Sequence, residues 1–113
     1  MTTIFERIIK REIPAEIIYE DEQAIVFKDV NPAAPKHFLV VPKEVITSLQ
    51  TAAEHQYALL SHLMKVIQLV ALQEGLAEGG YRVITNIGKD GGQTIDHLHF
   101  HVLGGRSLAW TPG

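Results

Sequence analysis

DHLHFHVLGG, residues 96–105, places His97, His99 and His101 at every second position, with Leu98, Phe100 and Val102 between them. The chain has 6 histidines in 113 residues, and half of them fall inside these positions. Alternate side chains of a strand share a face. The three imidazoles are therefore expected on one side, roughly 6.6–7 Å apart, with the apolar residues turned into a core. A solvated strand face ordinarily carries Lys, Thr, Glu or Ser, so a face built of imidazole asks for a chemical reason.

Two chemical readings fit these residues. In the first, His-x-His supplies two ligands to zinc, which then takes a third His or a carboxylate. Asp96 faces the wrong side for this, while His37 can serve if its strand lies alongside. In the second, the imidazoles do acid–base or nucleophilic work. Histidine titrates near 6.5, and a neutral ring can attack phosphorus or a carbonyl while its neighbours orient it. The preceding loop, GKDGGQT at 88–94, favours the second. Glycines let a backbone approach a ligand, and successive N–H groups make an anion-binding nest. Gln93 and Thr94 add side-chain donors. Neither G-x-G-x-x-G nor G-x-x-x-x-G-K-[ST] occurs.

Working outward, EIIYED (16–21) and AIVFKDV (24–30) read as a β-hairpin, and NPAAP (31–35) breaks the chain. KHFLVVPK (36–43) and YRVITN (81–86) are further strands, and IDHLHFHVL (95–103) is the last. Thr3-x-x-Glu6 spells a capping box before a short helix with Ile4, Phe5, Ile8 and Ile9 as its apolar stripe. The long helix falls between about Val45 and Glu74, with Thr51-x-x-Glu54 as a second capping box. Its apolar positions are Leu59, Leu60, Leu63, Met64, Ile67, Val70 and Ala71. His55 and His62 on this helix are read as surface or interface residues without a chemical role. The expected fold is α+β, a five-stranded antiparallel sheet with one long and one short helix. Residues 1–113 form a single domain with a C-terminal tail from about 104.

Composition narrows the function classes. Hydrophobic residues make up 46% and charged residues 20%, with a formal charge of −3 and acids and bases interspersed. No basic patch suggests DNA, RNA or a membrane surface as partner. With no cysteine, disulfides, thiolate chemistry and Cys-ligated zinc are excluded. MTTIFERIIKREIP lacks a secretory apolar core, and no run approaches a membrane span. The expectation is a soluble cytoplasmic protein.

HLHFHVL matches the His-φ-His-φ-His-φ-φ signature (φ apolar) of the histidine triad superfamily. TIFERIIKREIPAEIIYED, FKDVNPAAPKHFLVVPK, GYRVITNIGKDGGQTIDHLHFHVLGGR and the terminal WTPG resemble, nearly end to end, its nucleotide-binding (Hint) branch. The resemblance implies a purine nucleoside phosphoramidase with no cofactor and no metal. Such an enzyme hydrolyses the P–N bond of nucleoside 5′-monophosphate amine adducts. His99 matches the nucleophile that forms a nucleotidyl-histidine intermediate. His101 matches a phosphate contact, His97 a support of the strand, and His37 a fourth histidine that orients the nucleophile. Asn86, Gly92, Gln93 and Thr94 match the phosphate-binding positions. Asp29 matches the acid on the ribose hydroxyls, and Phe27, Val30, Ile4, Phe5, Ile8 and Leu39 match the apolar base pocket. Thr94 stands where serine is common, Val30 where isoleucine is usual, and Asn31 replaces a common serine. Asp96 adds negative charge where an apolar or larger residue is frequent. A dinucleoside polyphosphate hydrolase, a nucleotide-binding scaffold and a zinc module are the competing readings.

Trp110 is the only tryptophan and lies close to the end of the chain, so it needs a surface to pack on. The resemblance implies a homodimer whose two sheets join into one, with the tail reaching toward the partner's active site.

Overall fold

The computed structural model describes residues 2–111. Its elements are α1 (Ile4–Ile9), β1 (Ile17–Glu20), β2 (Ala24–Lys28), β3 (Lys36–Pro42), α2 (Tyr57–Gln73), β4 (Tyr81–Ile84) and β5 (Phe100–Gly104). The five strands form one antiparallel sheet in the order β1-β2-β3-β5-β4. This is the α+β architecture expected from the sequence. Among the described residues no helix is long and apolar enough to cross a membrane.

Period-two alternation divides the apolar side chains between the two faces of the sheet. Val26, Phe38, Val40, Phe100 and Val102 pack on one face against Leu63, Val66, Ile67 and Val70 of α2. Ile25, Phe27, Leu39 and Val41 pack on the other with Phe5 and Ile8 of α1. The histidine face is thus covered by a second apolar layer. His97 is 0% exposed and His99 6%, so a plainly solvated row of imidazoles is ruled out.

The capping box at α1 is formed: Glu6 N–H donates to Thr3 Oγ1 at 3.2 Å, and Thr3 N–H donates to Glu6 Oε1 at 2.9 Å. The one at Thr51 is not. Residues 49–51 and 54–56 make two 3-10 turns, and α2 begins only at Tyr57. Glu54 lies inside the second of these turns, and the Gln56 side chain accepts the Ala53 N–H. Along α2, Met64 is 45% exposed, and Val66, which the expected stripe omitted, is buried. The helix ends in a Schellman turn at Gly75 (φ +78°), where Gly75 and Leu76 N–H donate to the Leu72 and Ala71 carbonyls.

His62 ties α2 to the turn between β1 and β2. Its Nε2 lies 2.7 Å from Asp21 Oδ2, which also accepts from the Tyr19 hydroxyl. Burial pushes the Asp21 carboxyl up, but the bonds from Tyr19, Gln23, His62 and Ala24 outweigh it and hold it at about 2.

The last strand is shorter than the sequence pattern suggests, because both of its neighbours run out. Val40 is the last β3 residue paired with β5, opposite Phe100, and Pro42 beyond it has no N–H to give. On the other side β4 ends at Ile84, and the Thr85 hydroxyl takes over by donating to the His99 carbonyl at 2.9 Å. His97 and His99 therefore lie in an unpaired lead-in that bends at 95–97, tied down by Leu98 N–H on the Ile46 carbonyl.

Leu63 lies in the middle of α2 and is 0% exposed. Leu63→Ala is expected to cost about 2–5 kcal/mol, read as a lower urea midpoint with an unchanged slope.

Candidate active site

The histidine face opens into a cavity of about 680 Å³. Its apolar wall is Ile4, Phe5, Ile8, Phe27 and Leu39, and Asp29, Val30, Asn86, Gly92, Gln93 and Thr94 also line it. His99 and His101 line it, while His97 and His37 sit behind it. The cavity thus brings together all the residues expected on the base, ribose and phosphate sides. Val30 is at the rim, 85% exposed. Ile13, Pro14, Ala15 and Ile95 also line the wall, although no motif marks them.

The hydrogen-bond partners assign the tautomer of each ring. His97 Nε2 lies 2.8 Å from the Pro42 carbonyl, so this nitrogen carries the proton and donates. Its Nδ1 then accepts from the Thr3 hydroxyl at 3.1 Å. Thr3 both caps α1 and anchors His97. With both nitrogens occupied and no exposure, His97 is a structural residue. Burial lowers its pKa, against smaller opposing effects of the Pro42 carbonyl and Glu6.

His99 Nδ1 lies 2.7 Å from the carbonyl of His97, so Nδ1–H donates and Nε2 keeps its lone pair. The Phe5 edge meets this ring at 4.9 Å between centroids and 78°. His37 is held from the other side: Ala33 N–H donates to its Nδ1 at 3.0 Å, which puts the proton on Nε2. That Nε2–H donates to His101 Nδ1 at 2.9 Å. His101, when neutral, carries its proton on Nε2. His37 therefore bonds to His101 and makes no hydrogen bond to His99. The pairing follows from register: Leu39 lies opposite His101 and His37 opposite Leu103, so the two rings are diagonal neighbours on one face. Burial, then the neighbouring His99 and His37, push the His101 pKa down to about 4. Burial lowers that of His37 as well, against the pull of Asp29.

Each of these four rings has one N–H and one lone pair. Among the described residues, only the His99 lone pair is left without a protein partner, and only the His101 Nε2–H without an acceptor.

The glycine loop differs from the nest expected of it. Gly92 and Gln93 N–H donate to the Lys89 and Gly88 carbonyls. The Gln93 side chain accepts from Gly88 N–H and donates to the Thr47 and Ile95 carbonyls. Gln93 thus braces the loop and offers no side-chain donor to the cavity. Asn86 Nδ2 donates to the Gly91 carbonyl at 2.7 Å, which uses one of its two hydrogens. Thr94, in the cavity wall, retains an exposed hydroxyl.

Asp29, His37 and His101 present ligand-type atoms within 4.8 Å of one another. The polarity is wrong for a cation. A metal-bound histidine donates its second nitrogen's proton outward, whereas His37 Nδ1 accepts from Ala33 N–H and so keeps Nε2 protonated. His97 has no free nitrogen. The competing zinc reading through His37 and the triad does not fit the donor set.

The fold and this face define an α+β protein built around a histidine-lined cavity. The chain belongs to the HIT family: the HIT domain model matches residues 10–108. An uncharacterized HIT-like protein of Synechococcus elongatus is 58% identical over 98% of this chain and 96% of its own length. A 14 kDa zinc-binding protein of Zea mays is 49% identical, covering 98% and 88%. The structure of a HIT family hydrolase from Clostridium thermocellum superposes with a TM-score of 0.93 at 46% identity, covering 97% of this chain and 96% of that one.

Folding holds His37, His97 and His101 neutral where an unfolded chain would protonate near 6.5. Their pKa values are depressed, so the unfolded state binds more protons below that point. Stability is therefore full above about 6.5 and falls on acidification, for His101 down to about 4. Urea midpoints at about pH 7.5 and about pH 5 should show the drop, and His101→Asn should flatten it.

Proposed function

We propose that this chain hydrolyses the P–N bond of purine nucleoside 5′-monophosphate amine adducts, with His99 as nucleophile. One observation carries the reading: His99 lines the cavity, its Nδ1–H is held by the His97 carbonyl, and its Nε2 lone pair is free. A fixed tautomer aims the nucleophile without the entropy cost of ordering it during reaction. The relative named as a hydrolase supports a hydrolytic role.

In this reading the base lies against Phe5, Ile8, Phe27 and Leu39, and Asp29 accepts from the ribose hydroxyls. Asp29 is aimed by Asn31 N–H on Oδ1 at 2.8 Å. His99 Nε2 attacks the α-phosphorus, forming an Nε2–P bond as the P–N bond breaks. The amine leaves with a proton from the Thr94 hydroxyl, and the water of the second step returns one to that oxygen. His101 Nε2–H binds a phosphoryl oxygen. Water then attacks phosphorus, releases the monophosphate and restores the free lone pair. The reaction needs no cofactor.

We also propose that two copies pair. β4 is an edge strand with Val83 42% exposed, and the Trp110 side chain is 87% exposed, open to a surface outside its own subunit. Arg82 holds the tail at the Ala109 carbonyl. The last two tail residues, Pro112 and Gly113, lie outside the described residues. A partner of this kind, and a cytoplasmic location, accord with the resemblance to the nucleotide-binding branch.

Mixing the protein with an adenosine 5′-phosphoramidate and quenching in acid should yield a mass adduct of one adenylyl group. His99→Ala should abolish the adduct and lower turnover by roughly 10³-fold or more. Turnover without an adduct in a quench faster than one catalytic cycle would make His99 a general base. Binding without turnover would turn the reading to a nucleotide-binding scaffold.

A further inference from the structure

We infer that Gly105 and Arg106 are positioning residues, clamping the loop 31–35 so that Ala33 N–H fixes the proton positions of His37 and His101.

The loop is held from outside the cavity at two adjoining points. Arg106 Nη2 donates to the Ala33 carbonyl at 3.2 Å. Gly105 has φ +95°, and a Cβ there would stand 3.0 Å from Pro35 Cβ, so only glycine lets the end of β5 lie against the loop. Ala33 is thus bonded on both sides, its carbonyl to Arg106 and its N–H to His37 Nδ1. Prolines at 32 and 35 limit what else the loop backbone can do. From His37 the order passes to His101 through the 2.9 Å bond.

The consequence is chemical. With Ala33 N–H in place, His37 can only donate through Nε2, and His101 can only accept through Nδ1. His101 is thereby left with Nε2–H as its one remaining donor. The same bond denies the Asp29, His37 and His101 cluster to a divalent cation, because a ligating His37 Nε2 needs its proton on Nδ1, facing the Ala33 N–H. If the loop moved away, that obstacle would vanish, and the three groups would become a two-histidine, one-carboxylate set open to zinc. The loop clamp therefore decides whether this cluster presents one fixed hydrogen-bond donor or binds metal. The catalytic part of this inference rests on the phosphoramidase reading; the tautomer and metal parts do not.

The test uses the full chain and three variants, Arg106→Met, Gly105→Ala and Ala33→Pro, the last removing the N–H itself. Long-range ¹H–¹⁵N spectra of the imidazoles should show His37 only as the Nε2–H tautomer in the parent protein and a mixture in the variants. Zinc chloride alone, titrated by calorimetry, should bind the folded variants about 10-fold or more tighter than the parent. The added His37→Gln change in the Arg106→Met background should abolish that gain. Arg106→Lys, which keeps a donor for the carbonyl, should restore the parent's behaviour. A structural role alone would lower thermal stability without moving tautomer or zinc affinity, and that result would overturn the inference. So would an Nδ1–H tautomer of His37 in the parent. If a variant is unfolded, the remaining ones decide, since Arg106 is exposed and its methionine substitution leaves the core intact. In an active parent, kcat should fall by roughly 10-fold in Arg106→Met with KM little changed. An inactive parent with the expected tautomers would overturn the phosphoramidase reading and leave the clamp standing.

Discussion

A neutral imidazole has one proton and one lone pair, and each can be committed once. That constraint organises the site. The Pro42 carbonyl takes the His97 proton, the His97 carbonyl takes the His99 proton, and the Ala33 amide takes the His37 lone pair. Each commitment is to a backbone atom, whose position is set by the sheet and its adjoining loops. What remains is a single lone pair on His99 and a single proton on His101, side by side, with ring centroids 5.1 Å apart. A cluster of four histidines is reduced to one open lone pair and one open donor because the fold has used up the rest.

The late start of β5 serves the same purpose. In a fully paired strand, the carbonyls would go to ladder bonds. Because Pro42 ends the pairing on one side and Ile84 on the other, the His97 carbonyl is free to face its own strand's next imidazole. The Pro42 carbonyl is likewise free to hold His97. The break in regular structure supplies the acceptors that aim the rings, and loss of ladder hydrogen bonds is offset by side-chain bonds of similar strength.

The fold was legible in the sequence because periodicity reports faces. The Thr3–Glu6 box and the short β-rich runs correspond to observed elements, and the alternation at 97–102 does so from Phe100 onward. The Thr51 box was misread because a capping-box spelling also suits a 3-10 turn, and nothing in the residues separates the two. For the candidate site, residue identity located the cavity wall but not its hydrogen bonding. Gln93 reads as a donor in a glycine loop, yet its amide is spent on the Gly88 N–H and on the Thr47 and Ile95 carbonyls. Ala33, Pro42 and Gly105 act through backbone atoms or through lack of a side chain, so no side-chain pattern marks them. His37 could be placed near the triad only once strand order was known, and its partner turned out to be His101 by register.

The electrostatics of the cavity bear on how an anion would be treated there. Among the described residues, Lys28 and Asp29 are the only formally charged ones in its wall, and Lys28 is paired with Glu16 at 2.7 Å. A phosphate entering this space meets dipoles and N–H groups in place of a free cation. Such groups bind a ground-state anion modestly, because desolvating it is costly and no opposite charge offsets the loss. They act most strongly where charge builds up at phosphorus in the transition state, if they are already oriented. The low pKa of His101 belongs to the same logic: a ring held neutral in a dry wall donates its Nε2 proton to an oxyanion without first having to lose or gain one. Reading the site as a phosphoryl-transfer centre therefore requires that its hydrogen atoms be fixed in advance, and the backbone atoms around the four imidazoles are arranged to fix them.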